Sequence, residues 1–151
     1  MSTTPYCTAT QLTSILGPSA LLRLLDDNED GTAGSLESSY ATDAIEQAAS
    51  QMNLFLHARY ATADLLASDW CRWCNAYLAI DLLVRRRGNP ADSSLTEIAK
   101  TYRQQLEAIA RGELALPDAA RPHTALPRIS NHQTTLGERL PIRTIRPEQE
   151  G

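Results

Sequence analysis

The spacing of apolar positions divides the chain near Gly112. Before that residue apolar side chains return at helical intervals, and after it no period is kept. Thr8-Ala9-Thr10-Gln11 has the form of a capping box, in which a hydroxyl and an amide side chain satisfy free N–H groups of the first turn. It predicts a short helix that closes at Gly17-Pro18. Pro18 has its φ pre-set for a first helical turn, so a second short helix is expected over 19–25, carrying Leu21, Leu22, Leu24 and Leu25. An acidic turn fills 26–31. Over 35–60, Leu36, Tyr40, Ile45, Ala48, Met52, Leu56 and Tyr60 recur close to the 3.6-residue period. Over 64–87, Leu66, Trp70, Trp73, Tyr77, Ile80 and Val84 describe one regular face, and Gly88-Asn89-Pro90 stops that helix. A second capping box, Ser94-Leu95-Thr96-Glu97, opens a helix with the stripe Leu95, Ile98, Tyr102, Leu106 and Ile109, ended by Gly112. Nothing before Gly112 alternates with period two. The expected fold is all-α: a small bundle of two short and three longer helices over 5–111.

Residues 112–151 read as an extended, Pro-rich C-terminal arm. These 40 residues hold five of the eight prolines, Pro117, Pro122, Pro127, Pro141 and Pro147, and too little apolar surface to fold alone. Extended, they reach about 130 Å. The only patterned stretch is 136–145, where Leu140, Ile142 and Ile145 suit an edge strand added to another chain. Arg128, Arg139, Arg143 and Arg146, interleaved with those apolar residues, read as anchors of a protein interface; a merely solvated tail is the rival reading.

Composition narrows the function. The net charge is −4 with a single lysine, Lys100. A phosphate-gripping protein carries a basic surplus that displaces counterions from nucleic acid, and this chain has none. Mild acidity suits a surface that duplex DNA passes without specific binding. The N-terminal residues show no signal-peptide pattern, and no apolar run approaches the roughly 20 residues that span a bilayer, so no membrane partner is expected. Three cysteines, Cys7, Cys71 and Cys74, make no disulfide framework and fit a reducing cytoplasm as the place of synthesis.

Three motifs carry candidate chemistry. Asp26, Asn28, Asp30, Gly31, Thr32 and Glu37 match the calcium-loop pattern, with three side-chain oxygens, a tight turn, a carbonyl and a terminal bidentate carboxylate. No second such loop exists to pair with it, Ala33 stands where a larger apolar residue belongs, and a solvated acidic turn with Glu37 at a helix start explains the same residues. Calcium is the one cofactor weighed; otherwise none is expected. Cys71-Arg72-Trp73-Cys74 spaces two thiols on one helical face beside tryptophans, and without a βαβ context or two further ligands it reads as core packing. Arg85, Arg86 and Arg87 suit a helix C-terminus electrostatically and also offer a contact to a subunit or portal. No glycine-rich phosphate loop, nucleophile elbow or nucleophile–histidine spacing appears, so the chain does not read as an enzyme.

Several pieces together resemble the Mu-like phage head-completion or head–tail connector (adaptor) proteins. They are Tyr6-Cys7-Thr8 with Leu12, Leu24 with the acidic turn, Ala44-Ile45, Leu56-His57-Ala58-Arg59-Tyr60, the helix holding Cys71 and Tyr77, and Ala110-Arg111-Gly112-Glu113-Leu114-Ala115-Leu116. The likeness spans about residues 5–117; Ala61-Thr62-Ala63-Asp64 replaces an expected proline-rich loop, and the arm beyond Leu116 lies outside it. The resemblance implies a helical subunit of a homo-oligomeric, dodecameric ring in the virion neck. Such a ring sits beneath the portal protein, meets the next neck or tail protein, and lets double-stranded DNA pass. Two readings compete: an EF-hand-like calcium-binding regulatory module, and a helix-turn-helix DNA-binding regulator over 8–25. The second lacks a basic recognition helix, since only Arg23 lies there.

Overall fold

A computed structural model describes residues 4–88 and 93–118; the predicted edge strand at 136–145 lies outside the described residues. Within them the chain is all-α, with helices α1 Ala9–Leu16, α2 Pro18–Leu25, α3 Ser35–Leu56, α4 Thr62–Ala67, α5 Asp69–Arg86 and α6 Ser93–Arg111. Local chemistry sets the first boundaries as expected. The Gln11 side chain accepts from Thr8 N–H at 2.9 Å, Gly17 turns out of α1 at φ +80°, and Pro18 opens α2.

The helix predicted over 64–87 is two helices. Ser68 leaves helical geometry (φ −77°, ψ 120°) and its hydroxyl accepts from Cys71 N–H at 3.1 Å, which caps α5 and ends α4. The apolar period continues across the break, so periodicity alone joins what the cap separates. α3 likewise stops at Leu56, four residues before the expected end, and Tyr60 is buried just beyond it.

α5 is the central helix: ten of its eighteen residues are buried, so it is covered on more than one side. It packs on α3 and α6, with α1, α2 and α4 completing its surroundings. Small residues are frequent inside both helices: Ala41, Ala44, Ala48 and Ala49 are buried on α3, and Cys71, Cys74, Ala76 and Ala79 on α5. Leu78, Ile80, Leu83, Met52, Leu56, Leu106 and Ile109 fill the remaining core. Each such side chain contributes roughly 1.5–3 kcal/mol on burial.

The stripe expected on α5 is therefore rotated. Ile80 and Val84 are buried, but Trp73 is 45 % exposed and Leu66, on α4, 42 %. The large aromatics line the margin with α6 instead. Trp70 meets Tyr102 edge-on and Tyr77 stacks on the same ring, both at 5.6 Å between centroids. Among the described residues no helix is long and apolar enough to cross a membrane.

Candidate interaction site

The most elaborate side-chain construction lies where the chain leaves α6. Gly112, at φ +82°, donates its N–H to Ile109 O at 3.0 Å, and Glu113 N–H donates to Ala108 O at 2.9 Å. That pair of bonds is the Schellman closure, which needs a left-handed residue after the last helical one. The Ile109 carbonyl also accepts from Arg59 Nη1 at 2.8 Å, so a guanidinium sits on the negative end of α6. Arg59 lies so close to Gly112 that a Cβ there would stand 2.5 Å from Nη1. Four residues on, Leu116 is buried and its N–H donates to Tyr60 Oη at 3.0 Å. Asp118 then completes the attachment: its carboxylate accepts from Ser68 Oγ at 2.7 Å and from Trp70 N–H at 3.1 Å. Burial pushes the Asp118 carboxyl up, but the bonds from Ser68, Trp70 N–H and Asp69 N–H outweigh it and hold it below the usual carboxylate range. Leu116 and Asp118 thus tie this segment to the body.

The Arg59-Tyr60 pair and the segment after Gly112 are two of the pieces that carried the resemblance, and here they are one contact. Periodicity gave no sign of it, because the partners stand about fifty residues apart and the bonds run through a guanidinium, a phenol and main-chain groups.

Each arginine of the triplet pairs with a carboxylate of its own chain. Arg85 Nε lies 2.8 Å from Asp81 Oδ2, and Arg103 of α6 donates to the same oxygen. Arg86 donates to Asp27 and to Leu24 O, each at 2.7 Å, and its guanidinium covers the Tyr40 ring at 4.1 Å. Arg87 reaches Asp27 at 3.3 Å. The hydrogen bond from Arg86, with the charge of both arginines, holds the Asp27 carboxyl below its ordinary range. Arg86 and Arg87 clamp the acidic loop to the end of α5.

In the loop itself the calcium-pattern oxygens are turned to main-chain N–H groups. Asp26 accepts from Asp30 N–H and Gly31 N–H at 3.3 and 2.8 Å, and Glu37 accepts from Asp27 N–H and Gly34 N–H at 2.9 and 2.8 Å. Asp30 takes the Thr32 N–H and hydroxyl, and also the Asn28 amide. Among the described residues no three His, Cys, Asp or Glu side chains stand together as a metal-binding group. Cys71 and Cys74 are buried, and burial pushes the Cys71 thiol up to about 11. Arg128, Arg139, Leu140, Ile142, Arg143, Ile145 and Arg146 lie outside the described residues.

A family model described as Bacteriophage Mu, Gp36 matches residues 6–131. No curated protein matches the chain.

Proposed function

The chain belongs to the bacteriophage Mu Gp36 family, and from that premise we propose that it is a structural protein of the phage particle, a ring-forming head–tail connector subunit. In this reading the helical body packs beside its copies beneath the portal protein, the C-terminal segment engages neighbouring protein, and DNA crosses the ring to the tail without specific binding. The observation that supports it is the anchored root of the C-terminal segment. Arg59, Tyr60, Ser68 and Trp70 hold residues 109–118 on the body, so the 33 residues that follow start from a fixed point. Those residues hold Pro122, Pro127, Pro141 and Pro147 and few large apolar side chains, a composition that gains order by docking rather than by folding alone. The net charge of −4 agrees with a channel that does not retain DNA.

Mixing the purified chain with the portal of its own phage tests this by native mass spectrometry and electron microscopy. The full chain is expected to form a ring on the portal, while a chain ending at Asp118 keeps its helical circular dichroism and fails to bind. A full chain that stays monomeric in the presence of the portal overturns the reading. A monomer in isolation does not, because a ring of this kind can form on its template.

A further inference from the structure

Asp118 is fixed to Ser68 and Trp70, so the chain leaves the described body beside Trp70. Trp70 also lines a groove of about 370 Å³ between α5 and α6, together with Ile98, Thr101, Tyr102 and Gln105. The two aromatic rings meet at 65°, and the Trp70 indole N–H donates to Gln105 at 3.3 Å, which holds the wall in place. Among the lining residues, Ile98 offers apolar surface to solvent, 37 % exposed. Aromatic walls open to solvent are what an extended, proline-bearing peptide recognises. Its backbone shape is largely set beforehand, and its pyrrolidine rings pack on aromatic faces. The residues joined to Asp118 are such a peptide: Ala119-Ala120-Arg121-Pro122-His123-Thr124.

We propose that the α5–α6 groove is the seat of residues 119–124 of the same chain, with Pro122 against Trp70 and Tyr102. The tether selects this occupant over a second copy or an unrelated protein. The segment begins at the rim of the groove, and a short tether presents it at an effective concentration of roughly millimolar without a second loss of translational freedom. The lengths agree as well. Ile98 to Gln105 spans about 10 Å of helix, which three or four extended residues cover. Seating here fixes the direction in which residues 125–151 leave the body. The proposal does not rest on the connector reading.

The test uses the full chain with photo-reactive p-benzoylphenylalanine in place of His123, irradiated as an equal mixture of ¹⁵N-labelled and unlabelled protein. Cross-linked peptides are then mapped by mass spectrometry. The expected cross-links fall on α5 near Trp70 and on α6 between Ile98 and Gln105, and join only chains of like label. They are lost in Thr101→Arg, which fills the groove from an exposed position, and weakened in Pro122→Gly, which leaves the body untouched. Cross-links scattered over the surface, or indifferent to both substitutions, overturn the proposal. Mixed-label cross-links overturn it too, because the occupant is then a second copy. Portal binding is read in a separate experiment, so failure here leaves the connector reading intact.

Discussion

Asn75 has no exposed surface, and its side chain is engaged at three points: Oδ1 accepts from Tyr6 N–H and Cys7 N–H, and Nδ2 donates to Ile45 O, all at 3.0 Å. One residue of α5 therefore ties down both the N-terminal strap and α3. Asn75→Ala strands two buried donors and one acceptor, and the expected loss is about 3 kcal/mol, read as an earlier urea midpoint. Hydrogen exchange at Tyr6 and Cys7 should accelerate well ahead of the core. The acidic loop gives the opposite kind of expectation. Asp26 and Glu37 already hold main-chain N–H groups, which gives the loop its shape without a cation. Calorimetric titration with Ca²⁺ is expected to give no heat at millimolar ion; a saturable heat would show that the loop rearranges around the metal. A tight acidic turn and a calcium loop ask for the same residues: short oxygen side chains, a left-handed glycine and a carboxylate at the next helix start.

At the scale of elements, Gly112 carries the clearest test. Its φ of +82° and the 2.5 Å approach of Arg59 both oppose a side chain there. Gly112→Ala is expected to cost roughly 1–2 kcal/mol from left-handed strain alone, measurable by thermal melting. It should also loosen residues 114–118, because Arg59 must move off the α6 carbonyl. The helical class and most helix boundaries were legible, since capping boxes, Pro18 and the glycine stops are local signals. The break at Ser68 was carried by a cap residue within an unbroken apolar period, and the period was the louder signal. The face of α5 was misjudged for a related reason. The small residues Cys71, Cys74, Ala76 and Ala79 are buried, whereas the large Trp73 is half-exposed. Hydrophobic size marks a stripe, but close packing selects the small side chains. The contacts of Arg59 and Tyr60 with residues 109 and 116 were visible only as segments of a resemblance, because a polar contact across fifty positions leaves no period.

For the molecule as a whole, acid is the simplest probe of how the C-terminal segment is held. Asp118 has its folded-state pKa lowered, so its contribution is present above the unfolded value and fades as pH falls through the folded one. Below about pH 4, the ordinary aspartate range, the attachment to Ser68 and Trp70 is expected to release while the core stays folded. The amide resonance of Trp70 should report this as a titration that disappears in Asp118→Asn. The same attachment has a mechanical side. Anything that pulls on residue 119 pulls first on the cap of α5, then on Leu116 beneath Tyr60, and only then on the closure of α6. The three holds lie in series and must yield one after another. Traction on the C-terminal segment would thus enter the body at its most deeply buried helix, where the surrounding bundle can spread the force.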